Sequence, residues 1–167
     1  HVGGMMVAFG TGRNITEGDR TDSSSKHTIY SVLDNTKYKL VGGKIVVDTA
    51  AATPTPAGTG TSDLVEQTMV AGSVTGAGAS SGRTFWTISQ NPVPYDSKKG
   101  WFFNLPEPGE RLLKPINFYD GSNNLEVLSQ IPASGGNSIE ELCNPSPKEE
   151  KQYRTLLNIM DGRKPSV

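Results

Sequence analysis

Ser80 lies in a pattern that is typical of a hydrolase nucleophile. Residues 78–82 read Gly-Ala-Ser-Ser-Gly, a match to G-x-S-x-G. In a nucleophile elbow that pattern follows a strand and opens a helix, which places the serine on a sharp turn. Here a loop rich in glycine, serine, alanine and threonine precedes it, a strand-like run follows it, and only His1 and His27 are available as a base. We therefore interpret 78–82 as a flexible loop and not as a catalytic site.

The glycines of Gly10-Thr11-Gly12 resemble the start of a phosphate-binding turn. A dinucleotide fingerprint needs a third glycine and a βαβ unit, whereas position 15 is isoleucine and no βαβ pattern follows. Glycine adopts backbone angles that other residues avoid. We therefore predict that a strand ends tightly at 10–12.

Carboxylates and amides gather in two turn-like stretches. Two histidines and one cysteine are too few for a convincing zinc site, and neither stretch has the spacing of an EF-hand calcium loop. Carboxylates in turns commonly accept hydrogen bonds from the turn backbone, and we predict that role, with calcium binding as the alternative. The residues are Glu17, Asp19 and Asp22 in the first stretch and Asp120, Asn123 and Asn124 in the second.

Two aromatic residues and one thiol complete the candidates for chemistry. Trp86 and Trp101 either stack on a ligand or pack in the protein, and in a β-rich chain we predict packing. Cys143 is the single cysteine, so we predict a free thiol, with a partner outside this segment or in another chain as the alternative. Without a nucleophile–base pair, a metal cluster or a phosphate cradle, the residues predict a protein that is not an enzyme.

The composition limits the class of protein. The 167 residues carry a net charge of −1, with 19 glycines and 11 prolines, which predicts many turns and few long helices. A near-neutral balance argues against nucleic-acid binding, and no apolar run approaches the length of a membrane span. Because the chain starts at His1 and stops after Gly-Arg-Lys-Pro-Ser-Val, we expect it to be a piece of a longer polypeptide.

Short runs of apolar and β-branched residues predict an all-β fold of short antiparallel strands with long loops. The run 4–9 is apolar on both faces, as in a buried strand. A turn-rich loop at 120–124 predicts a hairpin between two of the other runs. The predicted strands after the first are 27–34, 44–48, 64–70, 83–90, 101–105, 112–119 and 125–131.

The last run and two loops need separate interpretation. Tyr153, Leu156, Leu157 and Met160 have helical spacing, whereas alternate residues from Tyr153 have strand spacing, and periodicity slightly favours a helix. The small, proline-rich stretch 49–63 and the stretch 132–151 are predicted to be flexible surface loops. Within the second, 138–141 matches a helix capping box.

The stretch 98–116 resembles a segment of the PilC/PilY family of secreted type IV pilus proteins. That family has a Gly-Trp run, then Leu-Pro, then Gly-Glu-Arg leading into a strand. Two phenylalanines here replace the family's tyrosine, and the turn has one extra residue. The matching residues are Gly100, Trp101, Leu105, Pro106, Gly109, Glu110 and Arg111.

Three further segments resemble the same family in the same order. Residues 7–34 are similar to its strand, Gly-Thr-Gly-Arg turn and aspartate-containing loop, through Gly10, Gly12, Arg13 and Asp19, although Asn14 replaces an aromatic residue. Residues 63–69 resemble its Leu-Val-Glu-Gln segment. Residues 127–143 resemble its strand ending in Ile-Pro, followed by a loop with cysteine, although the strand is less threonine-rich here.

The resemblance implies a fold and a function. The chain would be a single segment of a C-terminal β-propeller domain, and its last run would be an edge strand followed by a turn. The protein would be extracellular, at the pilus tip or the outer-membrane surface. It would promote pilus extension against retraction, support twitching motility, and contact minor pilins and host or abiotic surfaces.

The resemblance implies no cofactor in this segment. The family's calcium-binding aspartate loop lies upstream of the matched region, so calcium is expected only in the full-length protein. A generic secreted propeller that binds protein or carbohydrate is the alternative function. A quinone-type propeller dehydrogenase is a third, and it would need calcium ligands and a cofactor-stacking tryptophan.

The prolines and glycine within 98–116 predict a corner between two strands. Pro106 and Pro108 cannot donate ladder hydrogen bonds, so they are expected to end the preceding strand. Gly109 permits the chain to reverse, and Glu110 and Arg111 are expected to satisfy backbone groups of the turn or to pair with neighbouring groups.

Overall fold

A computed structural model describes residues 3–12, 15–50, 61–73, 84–112, 114–132 and 150–165. Of these residues 48% lie in strands, which confirms the all-β prediction. The elements are β1 (Met5–Gly10), α1 (Glu17–Thr21), β2 (Thr28–Asp34), β3 (Tyr38–Val41), β4 (Lys44–Val47), a 3-10 turn (Thr61–Asp63), β5 (Val65–Glu66), β6 (Met69–Ser73), β7 (Thr84–Ile88), β8 (Gly100–Asn104), β9 (Arg111–Leu112), β10 (Asn117–Tyr119), β11 (Asn124–Ile131) and β12 (Lys151–Asn158).

The first sheet has the strand order β1-β2-β8-β5. The strand β2 pairs antiparallel with β1 and with β8. The short strand β5 instead pairs with β8 in the parallel direction, with Val65 opposite Trp101. This parallel pair departs from the prediction of antiparallel strands alone, and it arises because the chain runs from β5 through the β6–β7 hairpin before it returns to the sheet.

The strand β1 is an edge strand, and the prediction that it is buried on both faces is wrong. The side chains of Met5, Val7 and Phe9 are 68%, 44% and 46% exposed. The alternate residues Met6 and Ala8 pack against the core. Only one face of this sheet is covered by the second sheet. A continuous run of apolar residues in β1 therefore did not mean that the strand is buried on both faces.

The second sheet has the order β10-β11-β12, with β9 also paired to β11. The predicted single strand 112–119 is wrong because it divides into β9 and β10. The described residues between them, 114–116, belong to no strand. They include Pro115, which cannot donate a ladder hydrogen bond. The strand prediction for the last run is confirmed by β12, which pairs along its full length with β11.

Two hairpins complete the described structure. The predicted strand 44–48 is β4, and it pairs with β3, which the sequence analysis missed. Gly42 and Gly43 form the turn with positive φ angles of 58° and 77°, as a tight hairpin requires. The second hairpin joins β6 and β7. No helix among the described residues is long and apolar enough to cross a membrane.

The core lies where the two larger sheets meet. It draws on alternate residues of each strand, as expected when one face of a sheet is covered. On one face of β11, Leu125, Val127 and Ser129 are buried, while Ile131 is half-buried. The buried apolar cluster is Ile29, Trp101, Phe103, Leu105, Leu125, Val127, Leu157 and Ile159.

Candidate functional site

The segment 105–112, here called the corner segment, connects the two larger sheets. The strand β8 ends at Asn104, directly before Leu105-Pro106, as the prolines predicted. Leu105 is buried in the core and its N–H donates to the His27 carbonyl at 2.8 Å. Gly109 has a φ of 79° and its N–H donates to the Ser25 carbonyl at 2.9 Å. The predicted corner is therefore confirmed, and it rests on the 22–27 segment.

We expect Gly109→Val to lower the free energy of unfolding by about 3 kcal/mol, as the sum of backbone strain and overpacking. A Cβ at this position would lie 3.0 Å from the Ser23 Cα and 3.3 Å from the Asp22 carbonyl oxygen. Gly42→Val is the matched control, because Gly42 also has a positive φ but has no atom within 4 Å of its added Cβ. Urea denaturation followed by circular dichroism measures both, and equal losses in the two variants would contradict the packing role of Gly109.

Arg111 is the central residue of the corner segment. Its side chain is 1% exposed. Its guanidinium donates to the Gly109 carbonyl through Nε at 3.0 Å, and through its terminal nitrogens to the carbonyls of Asp19 and Asp22. The rigid fork of a guanidinium suits several acceptors at once. Arg111 therefore holds the corner segment against α1 and the loop that follows it.

The carboxylates around α1 bind backbone amides, which confirms the turn-bonding interpretation. Asp19 accepts from the Thr16 N–H at 2.9 Å, and the Thr16 hydroxyl accepts in return from the Asp19 N–H at 3.2 Å. This is a capping box, which the sequence analysis missed here although Thr-x-x-Asp is visible. Asp22 accepts from the N–H groups of Ser24 and Ser25, both at 3.0 Å. Hydrogen bonds from Ser25 and Ser24 hold the pKa of the Asp22 carboxyl well below its usual value.

Gly10 and Gly12 lie directly beneath β9. A Cβ on Gly10 would collide with side-chain atoms of Leu112 and Ile29, and one on Gly12 would lie 2.6 Å from the Arg111 Cβ. Gly12 also has a φ of 133°. The tight strand exit is therefore confirmed, with close packing as its cause. The predicted site residue Arg13 lies outside the described residues, as do Ser80 and Cys143.

Glu110 connects the corner segment to the second sheet. Its carboxylate is buried and accepts from the Ser129 hydroxyl at 2.5 Å and from the Glu107 N–H at 3.2 Å. Burial raises the pKa of Glu110. Glu107 in turn accepts from the Tyr153 hydroxyl at 2.7 Å and pairs with the Lys151 ammonium at 2.9 Å. The corner segment is therefore bonded to both β11 and β12.

His27 is the one described histidine near this network. Its Nε2 is buried without a hydrogen-bond partner among the described residues. Burial first, and then the positive charge of Arg111, lower its pKa. A neutral imidazole beside Arg111 avoids placing two positive charges together. Within the described ranges, no group of three or more histidine, cysteine, aspartate or glutamate residues is placed to hold a metal ion.

Gly100 and Trp101 pack at the centre of the fold. A Cβ on Gly100 would collide with the Ser31 carbonyl oxygen, so only glycine lets β8 approach β2 here. The Trp101 ring is fully buried and its Nε1–H donates to the Ile159 carbonyl at 2.9 Å. Gly162 lies against the ring face, where a Cβ would come within 2.6 Å. The packing prediction is confirmed for Trp101.

Gln67 is a buried polar residue that sequence reasoning missed. Its amide nitrogen donates to the carbonyls of Asn91 and Asp161 at 2.7 and 2.8 Å. Its amide oxygen accepts from the Ser89 hydroxyl at 2.5 Å and from the Asn91 N–H at 3.2 Å. Its place in the Leu-Val-Glu-Gln segment was the only signal in the sequence. Gln67 ties the β6–β7 hairpin to the turn after β12.

A groove of about 540 Å³ lies between β7 and β12. The residues that line it include the aromatic residues Phe85, Trp86 and Tyr153 and the cationic residues Arg154 and Lys164. The sequence analysis named Trp86 as a residue that either packs or stacks on a ligand, and the structure places it at this groove, half-buried. The groove itself was missed, because it forms between residues almost seventy positions apart.

The predicted site residues therefore divide into two groups. Gly10, Gly12, Asp19, Gly109, Glu110 and Arg111 meet at the corner segment, with Leu105 and Pro106 leading into it. Gly100 and Trp101 lie deeper, between the sheets. All of the described ones act on the backbone or on packing, and none of them lines the groove between β7 and β12.

Comparison with known proteins gave no relatives. No family model matches the chain. No curated protein and no solved structure matches it either.

Proposed function

We propose that the chain is part of a type IV pilus biogenesis and tip-associated adhesion protein, with a non-catalytic role in a β-propeller-like domain. The observation that supports this most is the order of four sequence segments, each of which resembles the PilC/PilY family. Residues from each segment pack against another, as expected of segments that share one core.

The contacts between these segments are specific. The Gly-Thr-Gly turn packs on Arg111 of the Gly-Glu-Arg segment. The Leu-Val-Glu-Gln segment pairs with the Gly-Trp strand, where Glu66 lies opposite Phe102. The strand before Ile-Pro pairs with Glu-Arg-Leu through Ser129 opposite Leu112. Each of the four segments therefore contacts at least one of the others.

The β-rich character of the described residues is in keeping with a propeller, whose blades are four-stranded sheets. The two larger described sheets each have four strands, although the first contains the parallel β5–β8 pair and β9 and β10 of the second both pair with β11. On this proposal the protein functions outside the cell, with minor pilins and host or abiotic surfaces as its partners. Any calcium would bind in the full-length protein, outside these 167 residues.

A second candidate is a secreted binding module for protein or carbohydrate. The groove between β7 and β12 favours it, because aromatic walls with a few polar groups are typical of ligand sites. The two candidates differ in whether pilus number depends on the protein.

Deletion of the gene in the source bacterium tests the proposal. Complementation uses the wild type, a Trp101→Ala, Gly109→Val double variant that is expected to unfold, and Gly42→Val as the control. Surface pili are counted by electron microscopy and attachment is scored beside them. Lost pili with pilin retained in the cell support an assembly role, and normal pili with lost attachment support a tip adhesin. Normal pili and normal attachment in the deletion strain contradict the proposal.

A further inference from the structure

The groove between β7 and β12 follows the edges of the two strands. Residues 85–88 and 152–157 line it consecutively. Successive side chains of a strand point to opposite faces, so a cavity above one face would be lined by alternate residues. Consecutive lining shows that the cavity lies beside the strands, where backbone N–H and C=O groups point.

The backbone of β12 directs polar groups into the groove. The Ile159 N–H donates to the Asn123 carbonyl of the neighbouring hairpin arm at 2.8 Å. Hydrogen-bonded and non-bonded pairs alternate along an antiparallel ladder, so every second residue back from Ile159 faces β11. The backbone groups of Gln152, Arg154 and Leu156 therefore point away from β11. Asn158 belongs to the same alternate set of residues. Its N–H also points away from β11 and donates to the Arg163 carbonyl at 2.9 Å.

The backbone of β7 does the same from the opposite side. The Ser89 N–H donates to the Thr68 carbonyl at 2.9 Å, so Trp86 and Ile88 direct their backbone groups away from β6. Gln90 donates its side-chain amide to the Ile88 carbonyl at 3.1 Å. Among the described strands, β7 pairs only with β6 and β12 only with β11.

The side chains of the groove add a charge preference. None of its described lining residues is aspartate or glutamate, whereas Arg154 and Lys164 are cationic. Arg154 is paired with Glu126 at 2.5 Å, so Lys164 supplies the positive charge that an incoming group would meet. Phe85, which is 43% exposed, and Trp86 offer apolar surface on opposite faces of β7.

We propose that this groove binds an extended peptide segment of another protein, which adds as a strand to the edge of β12 that no described strand covers. Its apolar side chains would lie on Trp86, and an acidic residue would lie near Lys164. An exposed strand edge is a template for such pairing. A peptide repeats its donors and acceptors every two residues, as the outward groups of β12 do, and a sugar does not. The inference holds whether or not the protein acts at a pilus.

The test begins with a random peptide library displayed on phage and selected against the 167-residue chain. Enriched sequences are expected to alternate apolar residues and to carry an acidic residue. The affinity of one synthetic, fluorescently labelled peptide is then measured by anisotropy. The peptide is then methylated at the backbone nitrogens that would donate to β12. This change is expected to weaken binding about tenfold or more, because each lost hydrogen bond contributes up to about 1.4 kcal/mol.

Variants of the chain provide the matched comparison. Gln152→Pro removes one outward N–H without removing a ladder bond to β11, and Gln152→Thr retains that N–H. The proline variant is expected to bind the peptide about tenfold more weakly, and the threonine variant to bind as the wild type does. Circular dichroism checks that both are folded. If the proline variant does not fold, the affinity of the methylated peptide for the wild-type chain tests strand pairing by itself.

Three outcomes overturn the proposal. One is that no peptide is enriched over an unrelated control protein. Another is that methylated and unmodified peptides bind equally well, which would mean that strand pairing is not used. The third is binding to a glycan array that is lost in Trp86→Ala, together with no peptide binding, which would assign the groove to a carbohydrate.

Discussion

Trp101→Ala is expected to lower the free energy of unfolding by about 3–5 kcal/mol, the usual cost of deleting a buried tryptophan. The ring is fully buried, stacks on Phe103 with centroids 6.1 Å apart, and bonds the Ile159 carbonyl. Its removal leaves a cavity and takes away the ring face that Gly162 packs against. The Ile159 carbonyl then keeps only the hydrogen bond from the Ser31 hydroxyl at 2.8 Å. Because domains of this size are stable by only about 5–15 kcal/mol, the loss is a large share of the total.

Urea denaturation followed by far-ultraviolet circular dichroism measures this loss, since the signal does not depend on tryptophan. Trp86→Ala is the matched control, because Trp86 is only half-buried and lies at the groove. Trp101→Phe keeps part of the volume but loses the hydrogen bond, and its loss should be intermediate. If Trp101→Ala were no more destabilising than Trp86→Ala, Trp101 would not be the centre of the core.

Arg111→Met is expected to lower the free energy of unfolding by about 3 kcal/mol, because it removes the donor of hydrogen bonds to three backbone carbonyls, one buried and two half-buried. Methionine keeps most of the apolar stem, so packing alone should change little. Arg111→Lys is the control for charge. A lysine ammonium lacks the planar fork that reaches the carbonyls of Gly109, Asp19 and Asp22 together, so it should restore less than half of the loss.

Hydrogen exchange separates this role from a general loss of stability. Arg111 anchors α1 and the loop after it, so exchange in residues 15–25 should accelerate more in Arg111→Met than in a core truncation of matched stability at Leu125 or Val127. The Asp22 N–H, which donates to the Gly18 carbonyl at 3.0 Å, is the most direct reporter. Uniform acceleration along the chain would contradict an anchoring role.

Local features of the corner segment were predictable because they depend on single residue types. Proline cannot donate a ladder hydrogen bond, so the end of β8 could be placed at Leu105-Pro106. Glycine tolerates positive φ, so Gly109 could be assigned the reversal. The same reasoning predicted that Asp19 and Asp22 bind the turn backbone. These predictions needed no knowledge of what lies across the fold.

The character of β12 could not be decided from its own residues. Tyr153, Leu156 and Leu157 fit a helix, and alternate residues fit a strand. Pairing with β11 along its full length decides in favour of the strand, because β11 offers eight residues of open backbone and an apolar face. The error at β1 has the same origin. The residues of β1 are apolar on both faces, and this pattern alone cannot show that another sheet covers only one of those faces.

By itself, the sequence determined that the chain is all-β, where its turns fall, and which glycines and prolines shape them, because those properties follow from the backbone chemistry of a few adjacent residues. Only the tertiary structure decided that Arg111 binds carbonyls near α1, that Gly10 and Gly12 lie beneath β9, and that β7 and β12 enclose a groove. Each of these is a contact between distant segments, and its energy depends on the packing partner, which no local pattern contains.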